Sequence, residues 1–375
     1  MKSATPNKPY ADFPLFAHQS GQWAKKIKGR THYFGKWSDP QAAVAAYRAQ
    51  RDYLYAGQEP PAEGATLAIL LNAFRRTKSA AVENGELSQR SFDEYESVCD
   101  TIASLGKHTP IELVDFVKLR KKLCAGNNGK HLSPVSQKRL LGIARMVFNF
   151  ANEELEPPLP TPIRYRKKLK LPTAKVIRRA RNEVGERLFT AAEILALLGI
   201  AKPQLKAMIY LGINCGFGNA DCATLPIEQI DIANGRHHYW RPKTEIARRC
   251  PLWPETTAAL YAVIKNRNDG LAFITKYGNA WEGKGRCDPI SYEFRKLATK
   301  LGIFRKGVTT FYTLRRTFET IAATTGDQVA VDFIMGHAPE SDDMAAIYRQ
   351  KTFDSQLVKV TDHVHGWLHG SITIS

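Results

Sequence analysis

The sequence predicts a multidomain, mainly α-helical protein, with a small β-hairpin or sheet module at its amino terminus and a mixed α+β domain at its carboxy terminus. Three observations lead to this fold class. The chain has 375 residues, and since a domain usually holds about 100–200 residues, two or three domains are expected. Apolar residues recur at helical spacing across residues 65–155. A proline-rich, basic stretch then separates that region from the remainder.

The composition indicates a folded protein that binds a polyanion. The chain carries 54 Lys and Arg against 36 Asp and Glu, a net charge of +18, and 43% of its residues are hydrophobic. That apolar content excludes a disordered basic tail, and the charge makes nucleic acid the leading partner. No apolar run reaches the roughly 20 residues of a membrane helix, and the start lacks a secretory signal. We expect a cytoplasmic, DNA-associated protein with no membrane partner.

The cysteine and histidine pattern predicts neither metal nor cofactor. The 6 cysteines are scattered and include no CxxC pair, so neither a zinc site nor a disulfide framework is indicated. His363, His365 and His369 form one short cluster without Cys or carboxylate companions. We interpret them as part of a tail that packs on a neighbouring subunit or is solvated.

Residues 1–60 are predicted to form a β-hairpin followed by one helix. The β-type runs Trp23–Ile27 and Thr31–Phe34 are joined by the turn signal Lys28-Gly29. A helix opens at Asp39-Pro40 and closes at Gly57. Basic and aromatic residues mix in the hairpin, which suits contact with phosphates and base edges; an ordinary solvated face is the alternative. The candidate DNA-binding residues here are Lys25, Lys26, Lys28 and Arg30.

Residues 61–155 are predicted to form a compact helical bundle. Four segments, 66–85, 91–106, 112–126 and 133–154, carry apolar residues at helical spacing and end at Gly or near Pro. They contain no cluster of acids or histidines and no glycine-rich phosphate loop. We therefore expect this region to hold a partner rather than to react with it.

Residues 156–187 are interpreted as a basic linker. Its five prolines forbid a long helix, and ten Lys or Arg face two Glu between Arg164 and Arg187. Such a stretch suits a protein that closes around a duplex, because each neutralised phosphate releases counterions. A solvated linker is the alternative. The candidate DNA-binding residues are Arg166, Lys167, Lys168 and Lys170.

Residues 188–375 are predicted to form the mixed domain. Thr190 and Glu193 make a capping box at its first helix, and a second apolar helix covers residues 204–216. Strand-like segments follow at 229–232, 237–241 and 247–252, and the stretch from Pro254 to about Lys351 is mostly helical.

Three residues that can act on a phosphate occur on consecutive elements of Phe311–Gln350. Arg315 lies three positions after Tyr312 on one helix, off the buried apolar stripe. His337 follows Gly336 at the end of the next helix, and a third helix carries Tyr348.

This stretch resembles the tyrosine recombinase, or phage-type integrase, family, which has His-x-x-Arg, then Gly-His, then a nucleophilic Tyr on a late helix. The resemblance extends to the architecture: an arm-type DNA-binding module (1–60) with a three-stranded sheet, a core-binding domain (61–155), a linker (156–187) and a catalytic domain (188–375). It implies an integrase of a mobile element that cuts and rejoins double-stranded DNA through a 3′-phosphotyrosine intermediate, without metal or ATP. A homo-oligomer, a tetramer on DNA, and DNA-bending helper proteins are implied as partners.

The resemblance also implies roles for individual residues. Tyr348 would be the nucleophile, and Arg315 would bind the non-bridging phosphate oxygens as a fork. Lys243, in a Pro-Lys-Thr turn between two strand-like runs, would be the general acid, and His337 would hydrogen-bond the phosphate. Tyr312 occupies the place of the family's first His. Asp221 would occupy the family's acidic position and support its neighbours.

The sequence departs from the family pattern at three points. Gly218 stands where the family has its first catalytic Arg, Tyr312 replaces a His, and eleven positions separate His337 from Tyr348, against the usual nine. Arg241, Arg248 and Arg249 flank Lys243 and are candidate substitutes for the lost Arg. Two alternative functions stay open: a catalytically degraded relative that binds specific DNA as a regulator or accessory protein, and a strand-relaxing topoisomerase.

Overall fold

The computed structural model describes residues 5–57, 66–126, 130–155, 158, 165–241, 246–283, 288–338 and 352–373. The chain divides into two compact units, Met1–Ala180 and Arg181–Ser375. Both are mostly helical, and each contains a three-stranded antiparallel sheet. The predicted fold class is therefore confirmed. No helix in these ranges is long and apolar enough to cross a membrane.

The amino-terminal sheet has the predicted hairpin at its centre. Strands β1 (Phe16–His18), β2 (Gln22–Ile27) and β3 (Arg30–Lys36) lie in that order. Lys28 and Gly29 both have left-handed backbone angles, with φ of 48° and 81°, as a two-residue hairpin turn requires. Helix α1 (Pro40–Ala56) covers one face of the sheet. Both sequence signals for that helix are confirmed, since Asp39 caps its start and Gly57, with φ of 79°, ends it.

The four predicted helices of the bundle are present. They are α2 (Leu67–Glu83), α3 (Gln89–Ala103), α4 (Phe116–Cys124) and α5 (Pro134–Glu153). Helix α4 begins later than its apolar pattern suggests, because the Asp115 carboxylate accepts hydrogen bonds from the amides of Val117 and Lys118 and fixes the start there. A short 3₁₀ turn, Ile111–Leu113, precedes it.

Part of the predicted linker is folded onto the bundle. Helices α6 (Tyr165–Lys168) and α7 (Ala174–Asn182) lie in this segment. Tyr165 and Leu169 are buried in the bundle core, and Arg145 of α5 donates to the Leu169 carbonyl at 2.9 Å. The apolar contacts of Tyr165 and Leu169 hold this segment on the bundle, although many of its other residues are charged. The division of the chain into four domains stays a prediction.

The carboxy-terminal unit surrounds its core with helices. They are α8 (Ala191–Ile200), α9 (Pro203–Asn214), α10 (Asn219–Ala223), α11 (Pro254–Ile264), α12 (Pro289–Lys300), α13 (Phe311–Ala323), α14 (Gln328–Met335) and α15 (Asp354–Leu368). The capping box of Thr190 and Glu193 is confirmed at the start of α8. Helix α9 passes so close to α13 that a Cβ at Gly212 would meet Leu314 at 3.0 Å. This contact holds α13, the helix that carries Arg315, against the core.

The second sheet consists of β4 (Ile230–Asp231), β5 (Arg236–Arg241) and β6 (Ile246–Pro251), in that order. Tyr239 pairs with Arg248, and Arg241 pairs with Ile246. Tyr239 and Arg248 are buried, whereas Trp240 is exposed. This alternation turns one face of the hairpin toward the core. Arg241 and Arg248 lie on that face.

The interpretation of the carboxy-terminal histidines as a tail that packs on a neighbour or is solvated is wrong. They lie on α15, whose stripe of Leu357, Val360, Val364 and Leu368 is buried in the core of its own unit. The Trp253 indole donates to the Thr361 carbonyl at 3.0 Å. The apolar stripe at helical spacing outweighs the polar character of the histidines.

Candidate active site

Helix α13 holds Arg315 in a fixed position. The side chain is buried, and its guanidinium donates from Nη1 to the Gly216 carbonyl at 2.5 Å and from Nη2 to the Met335 carbonyl at 2.9 Å. These carbonyls come from the loop after α9 and from the last residue of α14. Two separate segments therefore fix the plane of one guanidinium.

His337 is brought to Arg315 by the end of α14. Gly336, with φ of 63°, ends this helix in the left-handed conformation. His337 Nε2 lies 2.9 Å from Arg315 Nη2, and His337 Nδ1 lies 3.0 Å from a carboxylate oxygen of Asp332. Because an arginine only donates hydrogen bonds, Nε2 must accept and Nδ1 carries the proton donated to Asp332. Asp332 is a site residue that the sequence reasoning missed.

Tyr312 lies over Gly218, the position where the resemblance implies an arginine. A Cβ at Gly218 would be 3.5 Å from two ring atoms of Tyr312. The Tyr312 side chain is partly exposed, and the guanidinium of Arg316 lies 5.5 Å from its ring centre. Tyr312 thus stands at the same site as Arg315, as their spacing predicts.

Asp221 lies among three arginines. Its carboxylate accepts a hydrogen bond from the Gly218 amide at 2.7 Å. Its oxygens lie 3.2 Å from Arg248 Nη2, 3.7 Å from Arg241 Nε and 3.9 Å from Arg315 Nη1. All four side chains are largely buried. We call this group the Asp221 cluster.

The Asp221 cluster carries more positive than negative charge. Within the described part of the chain, one carboxylate faces three guanidinium groups, which stay charged at any accessible pH. Burial lowers the pKa of Arg248 and of Arg315, and the charge of Arg241 lowers that of Arg315 further. Unbalanced buried charge is costly, so an anion bound beside these groups would be stabilised.

Two predicted catalytic residues, Lys243 and Tyr348, lie outside the described residues. The strands that flank Lys243 are described up to Arg241 and from Ile246. After Tyr348 in the sequence, the description resumes at Thr352. Arg249 donates to the Thr352 carbonyl at 3.2 Å and pairs with Asp354 at 2.6 Å.

The predicted DNA-binding residues of the amino-terminal sheet differ in exposure. Lys26, Lys28 and Arg30 are exposed. Lys25 is half-buried, and its ammonium donates to the Pro14 carbonyl at 2.8 Å. Tyr33, 45% exposed, adds an aromatic ring to the solvent-facing surface of the sheet.

The predicted residues of the basic segment are all exposed. Arg166, Lys167, Lys168 and Lys170 project from the turn whose Tyr165 and Leu169 are buried. Arg166 also donates to Asn149 at 2.9 Å. The buried pair therefore anchors a cationic surface on the bundle.

Two clusters of metal-ligand type occur in the described residues. Cys215, His237 and Cys250 are buried with their ligand atoms within 4.8 Å of one another, and Glu255, His365 and His369 form the second group. Cys250 Sγ is a hydrogen-bond donor to the Pro251 carbonyl at 3.3 Å, and each cluster offers three ligands where structural zinc takes four. The first cluster packs as two thiols and an imidazole in the core, and the second ties α15 to α11.

Comparison with solved structures identifies the fold. The lambda integrase tetramer bound to a Holliday junction is 16% identical and covers 92% of this chain and 98% of its own, with a TM-score of 0.56. The Tn1549 transposon integrase in complex with transposon right end DNA is 17% identical and covers 77% of this chain and 96% of its own, with a TM-score of 0.54. At this identity the likeness concerns the fold alone.

The family assignment comes from the sequence of the carboxy-terminal unit. No curated protein matches the chain. The phage integrase family matches residues 182–355, the region that contains Asp221, Arg315, His337 and Tyr348. Residues 182–355 are therefore a phage integrase family domain.

Proposed function

We propose that this chain is a site-specific DNA recombinase, an integrase, that cuts and rejoins double-stranded DNA through a 3′-phosphotyrosine intermediate. The observation that carries the proposal is the Asp221 cluster, where three guanidinium groups face one carboxylate within the described residues. A phosphodiester brings the negative charge that these groups lack. The lambda and Tn1549 integrases, which share the fold, were solved on DNA, and this supports DNA as the partner.

The reaction exchanges one phosphate ester for another. The Tyr348 hydroxyl oxygen attacks the scissile phosphorus, an O–P bond forms, and the bond from phosphorus to the 5′ oxygen breaks. Lys243 protonates the departing 5′ oxygen, and the phenolic proton passes to a solvent base. Because the intermediate retains a phosphate ester, religation by a 5′ hydroxyl needs no ATP.

The described residues stabilise the charge that develops on the phosphate. Arg315 is fixed by two backbone carbonyls, so it needs no reorganisation in the transition state. A phosphate oxygen replaces His337 Nε2 as the acceptor from Arg315 Nη2. His337 Nε2 then takes a proton from solvent and donates it in a hydrogen bond to the phosphate, while Nδ1–H still donates to Asp332. The Tyr312 hydroxyl, at the rim of the site, donates a hydrogen bond to the same phosphate.

The remainder of the chain supplies binding. Lys26, Lys28 and Arg30 on the amino-terminal sheet, and the cations after Tyr165, are exposed and suit phosphate contacts. We place the reaction in a homo-oligomer, a tetramer when two duplexes are joined, with helper proteins that bend the DNA. The Holliday-junction complex of lambda integrase is a tetramer, which supports this assembly.

A nicked-duplex assay tests the chemistry. A nick beside the cleavage site releases a short fragment after attack, so the covalent intermediate accumulates. Wild-type protein incubated with the ends of the element that carries its gene should form an SDS-stable protein–DNA adduct. Tyr348→Phe should form none, whereas Tyr277→Phe, which changes an exposed tyrosine of the same unit, should react like the wild type.

The second candidate function is a DNA-binding regulator or accessory protein that has lost catalysis. Gly218, which supplies no side chain where the family has an arginine, favours it. Tight binding of the ends by the wild type without any adduct would establish this alternative. An adduct that Tyr348→Phe also forms would refute the assigned nucleophile.

A further inference from the structure

The recombinase proposed above lacks one of two arginines that would hold the scissile phosphate. Position 218 offers only its backbone amide, which is already donated to Asp221 at 2.7 Å. The space that a side chain would enter lies against the Tyr312 ring. If the chain is active, the second cation has to come from another element.

The hairpin of β5 and β6 brings arginines to this place from the opposite side. Arg241 and Arg248 both approach Asp221, at 3.7 and 3.2 Å. Arg249, the neighbour of Arg248 in β6, points to the other face and is occupied by Asp354 and the Thr352 carbonyl. Arg241 and Arg248 therefore remain as candidates for the second cation.

Exposure separates these two arginines. The Arg248 side chain is 0% exposed, and its guanidinium lies 4.1 Å from the ring centre of Phe217 and 4.9 Å from that of Tyr239. The Arg241 side chain is 12% exposed, compared with 2% for Arg315. Of the three arginine side chains in the Asp221 cluster, that of Arg241 is thus the most exposed.

Arg241 also lies among the other groups of the site. Its Nη1 donates to the Gly336 carbonyl at 3.1 Å, one residue before His337. Its stem packs on Gly336, where an added Cβ would meet Arg241 Cδ at 3.1 Å. Its Nε is buried and makes no hydrogen bond within the described part of the chain, so its hydrogen-bonding capacity is incompletely used.

We propose that Arg241 is the second phosphate-binding arginine of this recombinase, supplied by the hairpin in place of the residue missing at Gly218, and that Arg248 is a positioning residue beneath it. The inference rests on the proposed function. Arg248 balances Asp221 from inside the core and thereby leaves the outer guanidinium to the phosphate. Arg241 and Arg315 then bind non-bridging oxygens of one phosphate from two elements.

The test uses Arg241→Met, which retains the apolar stem against Gly336, in the nicked-duplex assay. The loss of one preorganised donor group should slow adduct formation by about 10²–10³-fold, while binding of the intact duplex is retained. Arg236→Met is the matched control, because Arg236 lies on the same strand but pairs with Asp354 at 3.4 Å; it should react at the wild-type rate.

Two rescue experiments separate a phosphate contact from a structural role. A methylphosphonate at the scissile position carries no charge, so Arg241→Met should cleave it nearly as fast as the wild type does. Adding Gly218→Arg to Arg241→Met should restore cleavage of the ordinary phosphodiester, since a Cβ at position 218 meets its neighbours at no less than 3.5 Å. Success in both would establish the contact.

Other outcomes overturn the inference. If Arg241→Met forms the adduct at the wild-type rate while Tyr348→Phe forms none, the recombinase stands and the role of Arg241 is refuted. If Arg241→Met is slower than the wild type by the same factor on the phosphodiester and on the methylphosphonate, and if adding Gly218→Arg does not restore cleavage, the role of Arg241 is structural. If the wild type itself forms no adduct, the proposed recombinase function is refuted, and the role of Arg241 that rests on it is refuted with it.

Discussion

Two groups of cations in this molecule differ in their surroundings. Lys26, Lys28 and Arg30 project from the amino-terminal sheet into solvent, whereas the arginines of the Asp221 cluster are largely buried. Exposed charges attract any phosphate and are screened by salt. Buried charges are held in fixed positions and act over short distances with little screening. The first group suits holding a duplex, and the second suits acting on one phosphate.

The largest effect is expected when the acid of the buried group is removed. Asp221→Asn preserves the shape of the side chain but leaves the three guanidinium groups without their carboxylate. Breaking a buried ion pair from one side should lower the free energy of unfolding by about 3–5 kcal/mol, measured by urea denaturation.

The matched change in the other unit is Asp52→Asn, since Asp52 pairs with Arg51 at 3.1 Å in an exposed position. It should stay within about 0.5 kcal/mol of the wild type. Equal losses for the two variants would show that burial does not distinguish the two groups of charges.

A smaller effect should appear in the pH dependence of stability. Burial lowers the pKa of His237 well below its ordinary value, and the nearby charge of Arg248 adds to this. The folded protein keeps this imidazole neutral, while the unfolded chain binds a proton below about pH 6.5. The free energy of unfolding should therefore fall by up to about 1.4 kcal/mol per pH unit below that point.

Urea unfolding between about pH 7 and about pH 5 measures this slope. His237→Leu should reduce it. His238→Leu, a change at the next residue, whose ring is exposed, should retain it because His237 is still present. An unchanged slope in His237→Leu would contradict the assignment.

The smallest effect is expected at the amino-terminal sheet, where substitutions should change DNA binding but not the rate of cleavage. Replacing Lys26, Lys28 and Arg30 together by serine should reduce the salt dependence of DNA binding, by about 0.9 in the logarithmic slope for each lost phosphate contact. Cleavage of DNA already bound should proceed at the wild-type rate. Fluorescence anisotropy at a series of salt concentrations gives the slope.

Lys25→Met provides the contrast within the same strand, because the Lys25 ammonium is bound to the Pro14 carbonyl. Its salt slope should match that of the wild type. A salt slope reduced by Lys25→Met would contradict the assignment of the solvent-facing surface of the sheet as the one that contacts DNA.

The fold could be predicted where local signals suffice. The turn at Lys28-Gly29, the cap at Asp39 and the capping box at Thr190 each depend on a few neighbouring residues, and all are present. The burial of Tyr165 and Leu169 could not be predicted, because it depends on α5, which is distant in sequence. A basic composition predicts a surface but not which side chains anchor it.

The candidate site could be predicted in part. The motif places Arg315 and His337 on consecutive elements, and they are in contact at 2.9 Å. Strand alternation implies that Arg248 and Arg249 face opposite sides of the hairpin, but only the packing of β6 decides which one faces Asp221. Asp332 was missed because its contact with His337 depends on the reversal of the chain at Gly336.

The room for a Cβ at Gly218 has an evolutionary consequence. Because a Cβ there meets Asp221 and Tyr312 at ordinary contact distances of 3.5 Å, a side chain can start at position 218 in a chain that also carries Arg241. An ancestor with an arginine at both positions could lose the first without passing through an inactive form. With the role proposed for Arg241, the clamp would thus have moved from the residue before α10 to strand β5 through two single substitutions.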